Sequence, residues 1–468
     1  MALDRRSLLR VGAGLAGGFA SAATLSGAHA APADAAPLLG RHRTRPGRAA
    51  PENRSAPTLD TEPAGDVTET LQAMIDDAAA AGEPLVLPPG RFVCATLTLR
   101  HGSRVSGTGS STVLVAAGAG PLLRADGADG ITIENLILDG AHLPPVAGAT
   151  PALVALVGCR RAAVLHVEIR NSGGTGILLD GASGRVAFCR VAFAADAAVH
   201  AIDCAGLEIA MNEISDCGNN GIQVWRRQTA EDGAVVHANR ISRIAARGGG
   251  SGQNGNGINV FRAAGVSVTG NRITDCAYSA IRGNAASDIH ITGNSCQRLG
   301  EVAIYAEFGF EGALIAQNLV DGAATGISVT NFDIGGRLAV IQGNLIRNLV
   351  RREHEPTDKR GEGIAVEADA TVTGNTVEGA PTAGIVIGWG RHMRDCVATA
   401  NLIRNTRVGI MISSDNEAGA ALVSGNMISG ATDGAIRAMT LGRPHGPDLA
   451  LTATETPRIR ISGNMAVP

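Results

Sequence analysis

Two glutamates of this chain have a spacing that suits acid–base chemistry. Glu307 and Glu367 occupy equivalent outward positions of a repeating pattern, two repeats apart. If the repeats stack as β-strands about 4.8 Å apart, the two Cβ atoms lie about 10 Å apart. The side chains can then close to the roughly 5–9.5 Å at which paired carboxylates hydrolyse glycosidic bonds. Glu307 and Glu367 are therefore the candidate catalytic residues, and solvated surface carboxylates are the alternative.

Aromatic and cationic side chains gather around the same predicted positions. The chain has two Trp and two Tyr, and three of these four fall at or beside the outward columns that contain the glutamates. Aromatic rings pack on apolar sugar faces, and guanidinium groups bind carboxylates. The candidate substrate-binding residues are Trp225, Arg226, Phe261, Arg262, Arg282, Tyr305, Trp389, Arg391 and His392. For Arg282, an ion pair with Glu307 one repeat away is the alternative.

A repeat of roughly 22 to 32 residues positions these side chains. Its first marker is an asparagine, found at Asn212, Asn239, Asn271, Asn294, Asn318, Asn344, Asn375, Asn401, Asn426 and Asn464. Its second marker is a Gly-Ile step, found at Gly221-Ile222, Gly257-Ile258, Gly326-Ile327, Gly363-Ile364, Gly384-Ile385 and Gly409-Ile410. Such a repeat is typical of a solenoid.

Apolar residues flank each asparagine at fixed distances, as in Val268-Thr269-Gly270-Asn271-Arg272-Ile273. Stacked repeats would align these residues as inward columns, and the asparagines would form a hydrogen-bonded ladder at a turn. The asparagine is therefore predicted to be architectural. After each Gly-Ile step, side chains alternate inward and outward, so function is expected in the variable outward positions.

Three segments interrupt the repeat, at 225–256, 351–361 and 440–457. Insertions in solenoids map to loops on one face, often the binding face. The chain shows no capping helix after the last repeat, so the final loop or another subunit is expected to cover that end. An oligomer formed through this end is therefore one predicted partner.

Four segments make up the predicted domain organisation. Residues 1–30 contain paired arginines, a glycine-containing apolar run and small residues at a cleavage site, which predicts an export signal without a stable membrane anchor. Residues 31–65 form a Pro/Ala/Arg-rich disordered linker. Residues 66–82 have helical apolar spacing and form a capping helix, and 83–468 form the repeat domain.

The opening of the ordered region, with its helix and Leu85-Val86-Leu87-Pro88-Pro89-Gly90-Arg91-Phe92, resembles the pectate-lyase-like superfamily. The resemblance implies an all-β, single-stranded right-handed parallel β-helix. The whole chain resembles the twin-arginine-translocated repeat proteins of unknown function. That resemblance implies a periplasmic or secreted protein that uses the twin-arginine translocase. The motifs typical of polygalacturonases and mannuronan epimerases are absent.

Composition excludes other classes of function. Glycine is abundant, with 62 residues, and the net charge of −3 does not suit a nucleic-acid-binding protein. The eight cysteines fall mainly where other repeats have aliphatic residues, which favours buried thiols over disulfides. No metal-binding or cofactor motif occurs, so neither is predicted.

Two functions fit these observations. The first is an exported protein that binds an acidic polysaccharide and cleaves it by lyase or glycoside hydrolase chemistry. The second is a non-catalytic envelope scaffold or adhesion protein. The aromatic and arginine group favours the first hypothesis, whereas the absence of a known catalytic set favours the second. Fold by itself does not decide between them.

Overall fold

The chain forms an all-β right-handed parallel β-helix, as predicted. The structure, a computed structural model, describes residues 65–148, 150–250, 252–352, 361–452 and 457–468. In the described residues, 14 coils each contribute one strand to each of three sheets. Arg443–Asp448, Ile459–Ser462 and Met465–Val467 bring each sheet to 15 strands. The strands pair in parallel, except for Ile436–Thr440 and Arg443–Asp448, which are antiparallel. The predicted signal of residues 1–30 and all but the last residue of the predicted linker lie outside the described residues.

The strands follow a fixed order around each coil. The first sheet consists of Leu85–Val86, Arg104–Ser106, Thr132–Glu134, Ala162–Leu165, Gly184–Ala187, Glu208–Ala210, Val235–His237, Ser267–Thr269, Ile289–Thr292, Glu311–Ala316, Arg337–Gln342, Ala370–Thr373, Cys396–Thr399, Ala421–Ser424 and Ile459–Ser462. The second sheet consists of Gly90–Cys94, Thr112–Ala116, Ile137–Asp139, Glu168–Arg170, Arg190–Ala192, Glu213–Ser215, Arg240–Ile244, Arg272–Cys276, Ser295–Gln297, Leu319–Asp321, Leu345–Arg347, Thr376–Glu378, Leu402–Thr406, Met427–Ala431 and Met465–Val467. The third sheet consists of Leu97–Thr98, Leu123–Asp126, Ala152–Val157, Thr175–Asp180, Ala197–Ile202, Asn220–Glu231, Asn256–Ala264, Ile281–Asn284, Val302–Glu307, Thr325–Val329, Glu362–Val366, Ala383–Ile387, Val408–Ser413, Ile436–Thr440 and Arg443–Asp448. Two 3-10 helices occur at Gly109–Ser111 and Phe332–Ile334.

Helix α1 (Thr68–Ala81) covers the N-terminal end of the β-helix and confirms the predicted capping helix. Leu71 and Ile75 are buried against the first coil. The side chain of Gln72 accepts a hydrogen bond from the backbone N–H of Thr98 and donates one to its carbonyl, at 2.8 and 3.0 Å. The amide thus takes the place of a neighbouring strand at an edge that would otherwise be open to pairing with another chain.

Inward columns of aliphatic residues form the core. In the second sheet, Ile241, Ile273 and Cys296 pair in register, and all three are buried. Because successive coils add a buried aliphatic residue or cysteine at the same position, the core is continuous along the stack. The predicted inward positions are therefore confirmed.

A continuous ladder of ten asparagines lies at the corner between the first and second sheets. Except at Asn464, the last of the ten, each side-chain Nδ2 donates to Oδ1 of the asparagine in the following coil, as between Asn271 and Asn294 at 3.0 Å. The same Oδ1 accepts the backbone N–H of Asn271 at 2.9 Å, and Nδ2 of Asn271 also donates to the carbonyl of Val236. The ladder satisfies buried backbone groups where the chain leaves the sheets, so the asparagine is architectural, as predicted.

The Gly-Ile step has a steric cause. A Cβ atom on Gly363 would lie 2.2 Å from the carbonyl oxygen of Gly384 and 2.6 Å from Cγ1 of Val377. The backbone of this corner therefore approaches both the next coil and the core too closely for most side chains. Glycine marks the point where the chain enters the third sheet.

All eight cysteines are free and buried, which confirms the predicted thiols. Burial raises the pKa of Cys296 to about 12. Among the described residues, no helix has the length and apolar character needed to cross a membrane.

Among the described residues, no helix covers the C-terminal end of the β-helix. The antiparallel strand Arg443–Asp448 covers the edge of the third sheet, as expected for the third interruption, whereas residues 453–456 of that interruption lie outside the described chain. The last strands of the first and second sheets, Ile459–Ser462 and Met465–Val467, have no following strand. Self-association through this end stays a prediction.

Candidate functional site

The outer face of the third sheet carries two columns of outward side chains, in the predicted register. The first column runs His200, Gln223, Asn259, Arg282, Tyr305, Ser328, Ala365, Val386 and Met411. The second runs Ile202, Trp225, Phe261, Asn284 and Glu307. Arg282, Tyr305 and Glu307 therefore share one face. The surroundings of these residues differ sharply along the columns.

Four residues on three consecutive coils form what we call the aromatic cluster: His200, Trp225, Phe261 and Arg262. The Trp225 ring contacts His200 edge-on at 4.9 Å between centroids and Phe261 at 5.7 Å. The guanidinium of Arg262 lies 4.7 Å from the centre of the Phe261 ring. Trp225 and Phe261 are half-buried and Arg262 is exposed, so this cluster presents rings and one cation to solvent.

His200 is an uncharged member of this cluster. Burial lowers its pKa to about 4, although Asp196 and Asp180 oppose that shift. The imidazole is therefore neutral at physiological pH. The aromatic cluster carries its positive charge on Arg262 alone.

A bulge beside Trp225 contains the two arginines that start the first interruption. The strand Asn220–Glu231 loses register with its neighbour between Trp225 and Ala230. Arg227 turns back and forms ion pairs of 2.6 Å with both Asp180 and Asp203. Arg226 lies 3.4 Å from buried Asp232, and burial raises the pKa of that carboxyl to about 6. Arg226, predicted to bind substrate, is thus already paired.

Further along the same columns lies a buried group that we call the ionic cluster: Arg282, Glu301, Tyr305 and Glu307. Nη2 of Arg282 lies 2.6 Å from Oε1 of Glu307, and Nη1 lies 3.4 Å from Oε2 of Glu301. The guanidinium also stacks on the Tyr305 ring at 4.9 Å. Arg282 and Tyr305 are 3% exposed and Glu307 is 2% exposed, so this group is closed to solvent. Arg282 therefore forms the ion pair with Glu307 that was the alternative to substrate binding.

The described residues of the glycine-rich segment 245–255, which are 245–250 and 252–255, cover part of this face. The carbonyl of Gly252 accepts hydrogen bonds from Nδ2 of Asn256 at 3.0 Å and of Asn259 at 3.1 Å. A Cβ atom on Gly252 would lie 3.3 Å from Nη2 of Arg282. The first interruption therefore lies on the predicted face and closes the ionic cluster. Residues 353–360 of the second interruption lie outside the described chain.

Glu367 stands two coils beyond Glu307, as predicted, and is 5% exposed. Its Oε2 accepts the backbone N–H of Phe332 at 2.9 Å, at the start of the 3-10 helix Phe332–Ile334. Arg394 stacks on the other side of that loop, 4.5 Å from the Phe332 ring. In this arrangement Glu367 anchors a loop.

Trp389, Arg391 and His392 form a turn one coil beyond Glu367 and six coils from Trp225. Six coils correspond to about 29 Å, so these residues do not join the aromatic cluster. Trp389 and His392 exchange two backbone hydrogen bonds of 3.0 Å, and Arg391 lies 3.3 Å from Glu417. The candidate residues therefore fall into separate groups.

Three residues at these clusters were not predicted. Glu301 pairs with Arg282, Asn284 donates to Glu307 at 3.1 Å, and Asn259 accepts the indole N–H of Trp225 at 3.2 Å. Asn259 and Asn284 stand in the two outward columns, so their positions were available from the repeat. Ala303-Ile304 is the counterpart of the Gly326-Ile327 step in the neighbouring coil. Glu301 lies two residues before it, and a charged residue at that point was the signal. Within the described part of the chain, no three His, Cys, Asp or Glu side chains are grouped to bind a metal ion.

Comparison with known proteins supports the fold. The family model described as right handed beta helix region matches residues 175–346 and 227–402. No curated protein matches the sequence.

Solved structures resemble the chain at low identity. Pre-mature gene product 12 of bacteriophage phi29 is 14% identical with a TM-score of 0.53, over 84% of this chain and 57% of that one. The tailspike protein of E. coli bacteriophage HK620 is 13% identical with a TM-score of 0.50, over 89% and 76%. An alpha-1,3-glucanase catalytic unit from Streptomyces thermodiastaticus is 16% identical with a TM-score of 0.47, over 86% and 67%. At these identities the likeness shows the fold alone, and the chain is a right-handed parallel β-helix protein.

Proposed function

We propose that the protein binds an extended acidic polysaccharide along the outer face of the third sheet, at the aromatic cluster. The observation that carries this proposal is Arg262, exposed and stacked on Phe261 beside Trp225, with no carboxylate partner among the described residues. Nη1 of Arg262 donates to the backbone carbonyl of Arg227 at 3.0 Å, which leaves its other N–H groups to bind a carboxylate. Rings on neighbouring coils offer packing surfaces for sugar rings. The bacteriophage HK620 tailspike, similar in fold, is described in complex with a pentasaccharide.

The walls of this face support a chain that runs along the stack. The bulge at Arg226 and Arg227 rises at one end of the strands, and the segment 245–255 lies at the other. A polymer between these walls would cross His200, Trp225 and Phe261 in turn, about 4.8 Å apart. This path gives contact on three successive coils.

Binding to polygalacturonate, alginate and a neutral glucan by the full chain tests the proposal. We expect Trp225→Ala to weaken binding of the acidic polymers about tenfold, because the loss of a stacking ring costs about 1.4 kcal/mol. Trp389→Ala is the matched control, since it removes the other tryptophan at a distant coil, and should leave affinity unchanged. Equal affinity of wild type and Trp225→Ala would overturn the proposal.

Cleavage of the bound polymer is the second candidate function, because Glu307 stands three coils along the column that contains Trp225. Lyase or hydrolase chemistry at Glu307 and Glu367 would require both carboxylates to leave their present partners. New reducing ends and unsaturated products are the measurements. Turnover by wild type that is lost in folded Glu367→Gln supports cleavage, whereas binding without turnover supports a scaffold or adhesion protein.

We also infer export to the periplasm or beyond by the twin-arginine route. Arg5 and Arg6 precede the apolar run in the segment outside the described residues. Replacing both with lysine keeps the charge and is expected to retain the protein in the cytoplasm, measured by cell fractionation. Unchanged export of that variant would contradict the inference.

A further inference from the structure

Two polar side chains on the floor of the aromatic cluster have unfilled hydrogen-bonding capacity. His200 and Gln223 pair in register on adjacent coils, in the column beside Trp225. Within the described chain, Nε2 of His200 and Oε1 of Gln223 are buried and have no hydrogen-bond partner. Gln223 is 3% exposed, so bulk water reaches little of its amide.

The next residue of that column shows the contrast. Asn259 accepts the indole N–H of Trp225 at 3.2 Å and donates to the carbonyl of Gly252 at 3.1 Å. Asn259 is therefore hydrogen-bonded to the segment that covers it, whereas Nε2 of His200 and Oε1 of Gln223 stay buried and unpaired. Buried polar groups without partners cost free energy, and native structures pair almost all of them. A bound hydroxyl group would supply the missing partner.

His200 and Gln223 are uncharged, whereas the nearby Arg262 carries a positive charge. Gln223 is neutral, and burial lowers the pKa of His200 to about 4, so both side chains suit an uncharged, hydroxyl-bearing sugar. Arg262, on the coil after Trp225, is cationic and suits a carboxylate. The terminal torsion of a glutamine is broad, so the amide of Gln223 can turn toward a hydroxyl beside Trp225.

We propose that this face recognises an acidic heteropolysaccharide, with a neutral sugar at His200 and Gln223 next to a carboxylate-bearing sugar at Arg262. This inference rests on the proposed function and adds the substrate class. A homopolymer of uronates would place a carboxylate against two neutral groups and leave their hydrogen bonds less well matched.

The affinities of the full chain for hyaluronan, gellan and xanthan, measured against polygalacturonate, test this inference. We expect wild type to bind at least one of the three heteropolymers tenfold or more tightly than polygalacturonate. Gln223→Met, which keeps the shape of the side chain and removes its polar atoms, should abolish that preference by weakening binding to the heteropolymer more than binding to polygalacturonate. His200→Phe should reduce the preference in the same direction, and it serves as the second variant if one protein fails to fold.

Thermal unfolding separates recognition from a structural role. Because Gln223→Met removes an unpaired buried oxygen, its Tm should rise while its affinity for the heteropolymer falls. A variant with unchanged preference contradicts the inference, as does a wild type with no preference for a heteropolymer. If Trp225→Ala loses binding and Gln223→Met does not, the proposed function stands and this inference fails. If wild type binds no acidic polysaccharide, both fail.

Discussion

The aromatic cluster and the ionic cluster occupy the same two columns of the third sheet, on adjoining coils, yet they have opposite properties. Phe261 pairs directly with Asn284, and the boundary between the clusters lies between those two strands. On one side, rings and a single cation face solvent. On the other, Arg282 and two glutamates are buried. One coil separates a contact surface from a sealed charge network.

The difference shows that covering loops, rather than sheet positions, assign roles on this face. The sheet offers equivalent outward positions on every coil. The segment 245–255 covers Arg282 and leaves Trp225 partly exposed. Covered charges must pair, because an unpaired buried charge is costly. Exposed rings stay available to a ligand.

The largest effect on stability is expected when a buried charge of the ionic cluster is removed. Glu307→Gln leaves Arg282 with an incomplete set of partners, and we expect a loss of about 3–5 kcal/mol, typical of a broken buried ion pair. The measurement is the urea midpoint of the full chain. Glu311→Gln is the matched control, because Glu311 also pairs with an arginine but its side chain is 62% exposed. That control should lose less than about 1 kcal/mol. Similar losses in the two variants would contradict the comparison.

A smaller effect is expected at the residue that joins the two regions. Asn259 accepts a hydrogen bond from the indole N–H of Trp225 and donates one to the carbonyl of Gly252. Asn259→Ala frees the indole and the covering segment, and we expect a loss of about 1–3 kcal/mol together with faster proteolysis within 245–255. The urea midpoint and limited proteolysis measure these effects. Asn405→Ala removes an exposed amide bonded to Glu378 and should leave proteolysis within 245–255 unchanged. Unchanged proteolysis within 245–255 in Asn259→Ala would contradict this role of Asn259.

The pH dependence of stability reports on the aromatic side. His200 has a folded pKa of about 4, below its ordinary value of 6.5. As the pH falls, the imidazole is therefore protonated in the unfolded chain before it is protonated in the folded chain. Its contribution is fully present above pH 6.5 and is lost as the pH falls toward 4. His200→Phe should therefore flatten the fall of Tm across this window.

Asp232 has the opposite effect on the pH dependence of stability, over nearly the same pH range. Its folded pKa of about 6 exceeds the ordinary 3.8. Its contribution is present below pH 3.8 and is lost as the pH rises through 6. Asp232→Asn should make the acid-side fall of Tm steeper than in wild type, whereas His200→Phe makes it shallower. Parallel profiles for the three proteins would contradict both assignments.

The smallest effect is expected at Arg391, which belongs to neither cluster. Its pair with Glu417 has side-chain exposures of 66% and 70%. Arg391→Ala should lower the free energy of unfolding, obtained from urea denaturation, by less than about 0.5 kcal/mol. It should leave polysaccharide affinity unchanged. A tenfold loss of affinity would place the binding surface far beyond the aromatic cluster.

Sequence periodicity predicted a solenoid and its register, and the resemblance to the pectate-lyase-like superfamily implied the parallel β-helix. Each asparagine fixes the positions of Ile or Val residues around it, and the Gly-Ile step fixes which later residues point outward. Arg282, Tyr305 and Glu307 were therefore placed on one face correctly. Their burial was not predictable, because a segment such as Gly248-Gly249-Gly250 carries no side-chain pattern that reveals its path. The role of Glu367 was hidden for a similar reason, since its partner is the backbone of a loop.

The asparagine ladder also gives the β-helix a direction. From Asn212 to Asn426, each Nδ2 donates to Oδ1 of the asparagine in the next coil, and Asn464 accepts the last of these bonds. Ten amide dipoles thus lie head to tail, and aligned hydrogen bonds of this kind polarise and strengthen one another. A single Asn318→Ala change would interrupt the series near its middle. The coils before and after it would then behave as two shorter cooperative blocks, joined through their sheets but no longer through one continuous amide chain.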